Sequence, residues 1–191
     1  MTTLPDRMPP LSDGAMDASQ RAAAEALIAG PRKAVKGPFI PLLRSPELMA
    51  RLEKVGEYLR FASAVPPRLG ELATLIVARR WSQQFEWAVH APLALKAGTA
   101  AEAIEALRQG ARPSDLCDEE GLVYDLIHEL ETTRGVSDAT YARAVETLGE
   151  RGVIDLIGIV GYFTLISMVL NLAHTPAEPG SAVLPLPALP L

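Results

Sequence analysis

Three polar side chains, Gln83, Glu86 and His90, are separated by three and four residues within a largely apolar stretch of the sequence. At this spacing the side chains of an α-helix project from one face, one turn above another. A carboxylate and an imidazole in this relation can share a proton, which is what general acid and base catalysis requires. The spacing therefore predicts a proton-transfer site around Glu86 and His90, with an ordinary surface pair as the alternative.

A further carboxylate, Glu71, belongs to the preceding predicted helix, which is apolar on nearly all sides. Such a helix is buried by its neighbours, so we expect the Glu71 carboxylate to be buried near Glu86, where crowded carboxylates suit proton transfer. Pro92 favours the same location, because a proline inside a helix interrupts the backbone hydrogen bonds and kinked helices often line pockets. We predict that Glu71, Glu86 and His90 lie within reach of one another in a mostly apolar pocket.

The order of these residues resembles that of the carboxymuconolactone decarboxylase and alkylhydroperoxidase-D superfamily. Its members have a glutamate on one helix, then a turn, then a helix that opens with two cysteines spaced CxxC and continues to a histidine. Glu71 and His90 stand in the places of that glutamate and histidine, and Gln83 and Glu86 in the places of the cysteines. The segment EWAVHAPLALKAG is similar to the cysteine-free, decarboxylase-like branch. The resemblance covers residues 71–110 and is visible again in VIDLIGIVGYFTLISMVLNLA.

The resemblance implies an all-α helical bundle that is oligomeric, as a trimer or hexamer, with the site near subunit contacts. It also implies a carboxy-lyase-like enzyme that decarboxylates, or transfers a proton on, a small organic acid or lactone of aromatic compound catabolism. In this interpretation His90 and Glu86 move the proton and Glu71 orients them, while Gln83 and Trp87 are candidate lining residues. We expect no cofactor, and no group of His, Cys, Asp and Glu has metal-ligand spacing.

Two other functions stay open. The first is antioxidant activity of the peroxiredoxin type, which the other branch of the superfamily performs through its two cysteines. Cys117 is the only cysteine, so one subunit cannot carry out a dithiol cycle, and we expect Cys117 to be a small, partly buried residue. The second is a non-enzymatic member of the fold that binds a small ligand. For an acidic substrate, Arg68, Arg79 and Arg80 are candidate carboxylate clamps.

Composition limits the remaining possibilities. The 191 residues suffice for one domain with a core, and 49% hydrophobic with 21% charged residues is typical of a soluble globular protein. A net charge of -5 argues against nucleic acid as a partner. The single cysteine and the absence of a secretory pattern at the start favour a cytoplasmic location.

The predicted elements are helices in three regions. Residues 1–44 form an N-terminal arm with one helix and an extended connection, 45–175 form the helical domain, and 176–191 form a proline-rich tail. Five helices are predicted at residues 17–29, 46–63, 118–134, 137–150 and 153–173. Three more lie between the second and third of these. One begins at residue 66, the next is capped by Ser82 and ended by Gly98, and the last is capped by Thr99 and runs to residue 109. We expect residues 1–13 to be poorly ordered unless a neighbour holds them.

The last predicted helix, 153–173, is long and apolar enough to suggest a membrane span. Asp155 and the line of Thr164, Ser167 and Asn171 favour a buried bundle helix instead. In the tail, leucines 184, 186, 189 and 191 alternate with prolines. We therefore predict a homo-oligomer in which this helix and the extended tail contact a partner subunit.

Overall fold

The computed structural model describes residues 5–177 and 183–187, and within them the regular structure is entirely helical, which confirms the all-α prediction. A short 3-10 turn at Asp13–Ala15 precedes eight α-helices in the described residues. They are α1 (Ala18–Ala29), α2 (Phe39–Leu42), α3 (Pro46–Phe61), α4 (Pro67–Arg80), α5 (Gln84–Ala97), α6 (Ala101–Arg108), α7 (Asp118–Thr133) and α8 (Asp138–Ala173).

Helix α4 lies at the centre of the bundle because its side chains are apolar or small on nearly every side. It packs against α5, α6, α7 and α8. Its residues Leu69, Leu72, Leu75 and Val77 are completely buried. The predicted burial of this helix is therefore confirmed, since residues 72–79 are all buried.

The predicted N-cap residues of α5 and α6 are each wrong by one position. Ser82 has a φ of 46°, whereas an N-cap residue needs extended backbone, so Ser82 forms the turn instead. Gln83 is the N-cap, and its side-chain oxygen accepts hydrogen bonds from the backbone N–H groups of Phe85 (2.6 Å) and Glu86 (3.3 Å). Gly98 ends α5 at a φ of 103°, as predicted. Thr99 does not cap α6, because the cap position falls on the next residue.

Helix α8 joins two helices that the sequence predicts separately. Ser137 caps it as expected, and Gly149 interrupts it with φ 67° and ψ 164°, a conformation that glycine adopts without strain. Beyond this break, the Asp155 carboxylate accepts hydrogen bonds from the Tyr58 hydroxyl (3.0 Å) and the Ala64 backbone N–H (2.7 Å). These bonds fasten the end of α3 to α8.

One face of α8 is apolar and exposed. Ile154, Met168 and Leu172 are 70%, 48% and 61% exposed, and their spacing places them on a single side of the helix. By length and hydropathy α8 could cross a membrane, and half of its most apolar 18-residue stretch is buried inside the protein. A core helix of a soluble protein passes the same test, so the feature to explain is the uncovered face.

We predict that this face of α8 packs against a second subunit, because water contact with a continuous apolar strip is unfavourable. Met168→Glu and Leu172→Glu should each shift the protein to a smaller species in light scattering. Ile28→Glu, at an exposed apolar residue of α1, is the matched control and should leave the mass unchanged. A wild-type protein that is already monomeric would contradict the prediction.

Both ends of the chain are held by the bundle where the structure describes them. The backbone N–H of Arg7 donates to the Ala173 carbonyl (2.8 Å), and Arg44 donates to the Pro9 carbonyl (2.6 Å). Residues 5–13 are thus tied to the end of α8 and to the segment after α2. The sequence analysis expected this segment to be poorly ordered unless a neighbour held it, and Ala173 and Arg44 of the same chain hold residues 5–13.

The tail segment 183–187 packs against its own chain. Leu186 is only 2% exposed, and its backbone exchanges two hydrogen bonds with the Gln84 side chain, both at 2.9 Å. Trp87 donates from its indole nitrogen to the Leu184 carbonyl (3.1 Å). Residues 183–187 are therefore held on their own subunit, while Leu184 remains 64% exposed, so contact of this strip with a partner stays a prediction. The leucines at 189 and 191 lie outside the described residues.

Truncation after Ala177 should therefore destabilise the subunit itself. Loss of the buried Leu186 side chain and of the tail hydrogen bonds should lower the free energy of unfolding by about 2 kcal/mol or more. Urea denaturation measures this change. The control is truncation after Pro187, which keeps the described segment and should behave like the full chain. An unchanged midpoint after the longer truncation would show that the segment does not contribute to stability.

Candidate active site

His90 of α5 lies between two carboxylates. Its Nδ1 atom is 2.6 Å from Oε2 of Glu71 on α4, and its Nε2 atom is 3.4 Å from Oε2 of Glu86, one turn earlier on α5. The side chains of His90, Glu86 and Glu71 are 4%, 5% and 18% exposed. The structure thus brings together the three residues that the sequence analysis proposed, and places them in the interior.

The local sequence explains this arrangement. Helices α4 and α5 are joined by a tight turn and run back side by side, so Glu71 near the start of α4 faces His90 in the middle of α5. Gln83 fixes the first turn of α5 through its cap hydrogen bonds. The i, i+4 spacing then sets Glu86 directly below His90.

The charges around His90 favour its protonated form. Burial of the ring lowers the pKa, but the hydrogen bond to Glu71 and the negative charges of Glu71 and Glu86 outweigh burial and raise the pKa to about 9. At neutral pH the site therefore holds an imidazolium between two carboxylates. The edge of the ring also meets Phe163 of α8, with centroids 4.9 Å apart at 79°.

Two cavities of different size meet at His90. The larger, of 340 Å³, is bordered by His90 and Glu86, and its remaining walls are mainly apolar and aromatic, including Phe39, Phe85, Val89, Tyr162, Phe163 and Ile166. The smaller, of 40 Å³, contains Glu71, Thr74 and the other side of His90. Of these two cavities, only the larger could hold an organic molecule, and Glu86 is the carboxylate that lines it.

Three basic residues that the sequence analysis missed also line the larger cavity: Arg32 and Lys36 from the connection between α1 and α2, and Arg60 from the end of α3. In the part of the chain that the structure describes, none of the three forms an ion pair with a carboxylate. Arg32 lies over the ring of Phe39 (5.0 Å to the centroid). For Arg32 and Lys36 the sequence signal was the cluster of basic residues at 32–36, which does not include Arg60. The position of this cluster against α5 depends on how the connection folds back.

Tyr162 of α8 is a further residue that the sequence analysis did not identify. Its side chain lines the larger cavity and is 8% exposed. Burial raises the pKa of Tyr162 to about 12, although the nearby positive charge of Arg32 acts in the opposite direction. The hydroxyl therefore stays protonated at neutral pH and is available as a hydrogen-bond donor in the cavity.

The two candidate lining residues, Gln83 and Trp87, lie elsewhere. The Gln83 amide donates to Asn171 of α8 (3.0 Å) while its oxygen caps α5. Trp87 is 1% exposed and binds the tail through Leu184. Neither residue lines the cavities at His90. Gln83 has extended rather than helical backbone, so the spacing rule does not apply to it and its side chain turns back over the first turn of α5. Trp87 follows Glu86 directly and therefore projects from another side of the helix.

The predicted carboxylate clamps are also placed elsewhere. Arg68 pairs with Glu119 (2.8 Å) and Glu120 (2.6 Å) at the start of α7. Arg80 pairs with Glu131, and Arg79 binds the tail and the α4–α5 turn. Their position on α4 puts them away from the cavity at His90, so the expectation is wrong for all three.

Cys117 is exposed rather than partly buried, which corrects the sequence-based expectation. It occupies the N-cap position of α7, at the surface, and its sulfur accepts a hydrogen bond from Arg68 (3.3 Å). His128 is exposed as predicted. Across residues 5–177 and 183–187, no three His, Cys, Asp or Glu side chains are grouped so that they could hold a metal ion.

Comparison with known proteins agrees with this geometry. Residues 46–120, which include Glu71, Glu86 and His90, match the model of the carboxymuconolactone decarboxylase family. A similar solved structure is an alkylhydroperoxidase AhpD core, described as an uncharacterized peroxidase-related protein from Ralstonia eutropha JMP134. It is 11% identical and covers 92% of this chain and 94% of its own, with a TM-score of 0.72. No curated protein gives a significant match.

At that identity the solved structure shows the fold alone, which is an all-α fold of the alkylhydroperoxidase-D-like class. The family match covers the segment that contains Glu71, Glu86 and His90. Both findings support the resemblance of this chain to the carboxymuconolactone decarboxylase and alkylhydroperoxidase-D superfamily, with the family match limited to residues 46–120.

The raised pKa of His90 has a measurable effect on stability. Its pKa is 6.5 in an unperturbed state and about 9 in the fold, so the protonated form stabilises the native state. This contribution is complete below about pH 6.5 and is lost as the pH rises through about 9. The free energy of unfolding should fall on the order of 3 kcal/mol over this range. Urea denaturation at about pH 6 and about pH 9.5 measures the fall.

His90→Gln is the control for this titration, since glutamine keeps hydrogen-bonding capacity without a titrating ring. The variant should be less stable than the wild type at about pH 6 and should lack the alkaline fall. If wild type and variant lose the same stability between the two pH values, the loss comes from other groups.

Proposed function

We propose that this protein is an enzyme that decarboxylates, or transfers a proton on, a small organic acid or lactone without a cofactor. The observation that carries the proposal is the buried Glu71–His90–Glu86 array at the wall of a largely apolar cavity of 340 Å³. An imidazolium held between two carboxylates is a proton donor that is already in place before a substrate enters. The family match at residues 46–120 supports the same class of reaction.

The charges of the cavity support an acidic substrate. Arg32, Lys36 and Arg60 line it without carboxylate partners among the described residues, and a carboxylate of the substrate would supply one. The aromatic walls, with Phe85 and Phe163, suit an unsaturated ring or lactone. In this arrangement the basic residues hold the acid group, and the body of the substrate lies towards His90.

The proposed reaction breaks the bond between the substrate carboxylate and its neighbouring carbon. Carbon dioxide leaves, and the electron pair stays on the substrate as a carbanion or enolate. The proton on Nε2 of His90 then passes to that carbon, directly or through Glu86, which shares the cavity. A proton from solvent restores the imidazolium. Glu71 binds Nδ1 throughout and orients the ring.

The cavity also favours proton transfer over peroxide reduction. A dithiol peroxidase needs two cysteines near the histidine, and here Gln83 and Glu86 stand at the corresponding positions. The only cysteine, Cys117, is bound to Arg68 at the start of α7 and does not line either cavity at His90. A member of the fold that only binds an organic acid would use the same basic residues without turnover.

We predict that His90→Gln and Glu86→Gln each reduce decarboxylation by about 10²-fold or more in kcat, because they remove the proton donor. Glu71→Gln should cause a smaller loss in kcat with little change in KM. The assay screens unsaturated lactone and keto carboxylic acids for carbon dioxide release and loss of ultraviolet absorbance. Glu102→Gln, at an exposed carboxylate of α6, is the matched control and should retain full activity.

The same assay separates the alternatives. Full activity in His90→Gln would contradict the proton-transfer role. Binding of the acids without turnover by wild type would favour a ligand-binding protein, with Arg60→Gln weakening that binding. Peroxide turnover with a thiol reductant that exceeds a buffer control and disappears in Cys117→Ser would favour an antioxidant enzyme.

A further inference from the structure

We propose that a second cavity, at the end of α4, binds a small organic anion that carries an apolar group. The cavity has a volume of 380 Å³ and is formed by α4, the end of α6 and α7. It shares no lining residue with the cavities at His90. Its lining residues are Ile76, Arg79, Arg80, Leu107, Gly110, Ala111, Tyr124 and His128.

The main observation is a buried guanidinium without an anionic partner. Arg79 is 8% exposed, and its Nη1 atom donates to two neutral acceptors, the Ser82 hydroxyl (3.2 Å) and the Pro187 carbonyl (3.3 Å). Its Nε atom is buried and has no hydrogen-bond acceptor among the described residues. A buried cation in this state is unfavourable unless an anion reaches it, because burial removes the water that would otherwise solvate it.

His128 provides a second donor. Nη2 of Arg80 lies 3.5 Å from Nδ1 of His128. Because a guanidinium can only donate, Nδ1 accepts at this contact, and the neutral ring carries its proton on Nε2. The ring stacks with Tyr124 at 6.0 Å between centroids and 13° between planes. The cavity therefore has a flat polar wall on α7 opposite the arginines of α4.

The acidic residues of α7 do not cancel this positive charge at Arg79. Glu131 is paired with Arg80, and Asp125 is paired with Arg112 (3.0 Å). Arg79 has no carboxylate within ion-pair distance in residues 5–177 and 183–187. The free charge in the cavity is thus that of the buried guanidinium.

The rest of the cavity is apolar, which specifies the ligand further. Ile76 and Leu107 are 5% and 3% exposed and form its inner wall. An inorganic ion would satisfy the arginine and leave this wall uncovered. A carboxylate attached to a small ring or alkyl group satisfies both, because the oxygens meet Arg79 and His128 while the apolar group covers Ile76 and Leu107.

The test uses the full chain and benzoate, observed through the NMR signals of the Tyr124 and His128 rings. We expect saturable shifts at both rings. Arg79→Gln should weaken benzoate binding by about tenfold or more, since it removes a charged donor. His128→Ala should weaken binding by about threefold, and because this residue is exposed the variant is expected to fold. Inorganic phosphate should bind more weakly than benzoate.

Arg60→Gln separates this proposal from the proposed activity. Arg60 lines only the cavities at His90, so this variant should leave the benzoate shifts at Tyr124 and His128 unchanged. The proposal is overturned if benzoate gives no saturable shift at these rings, or if both Arg79→Gln and His128→Ala bind it with wild-type affinity. Phosphate binding as tight as benzoate binding would overturn the requirement for an apolar group.

Discussion

The contact between Nδ1 of His90 and Oε2 of Glu71 is the interaction on which the arrangement of the site depends. It joins α4 to α5 inside the protein, where removal of one charged partner costs about 3–5 kcal/mol because the other is left unpaired. Helices α4 and α5 must therefore keep one register. The cap hydrogen bonds of Gln83 start α5 at the residue that this register requires, and Phe163 of α8 closes the remaining side of the ring.

Charge is distributed unevenly in a chain whose net charge is -5. The carboxylates of the site lie inside, against His90, while Arg32, Lys36 and Arg60 line the cavity from two other segments. An acidic molecule would bind at the basic residues. The group of His90, Glu71 and Glu86 would not attract it, because the two carboxylates cancel the positive charge of the imidazolium. In the activity that we propose, substrate binding and proton transfer would therefore fall to different residues.

The bundle covers one of its surfaces with the tail and leaves another, on α8, exposed. The segment 183–187 covers part of α5 and α6 through backbone carbonyls bound to Gln84, Trp87 and Arg108. Prolines suit this role, because they favour an extended chain whose carbonyls remain free to accept. The outer face of α8 has no such cover in the described part of the chain. A second subunit is the cover that we propose for it.

The sequence by itself determined the helices other than the short α2, which it predicted as extended connection. It also determined the buried character of α4 and the identity of the Glu71, Glu86 and His90 group, because these follow from spacing within one helix or between two adjacent ones. Helix ends were predicted to within one or two residues, with Ser82 and Thr99 displaced by one. Only the tertiary structure decided that Arg32, Lys36, Arg60 and Tyr162 share the cavity, that Arg68, Arg79 and Arg80 do not, and that the described tail residues bind their own chain. These outcomes depend on how α3, α8, the irregular connection after α1 and the proline-rich tail pack against α4 and α5, and such long-range contacts leave no periodic pattern in the sequence.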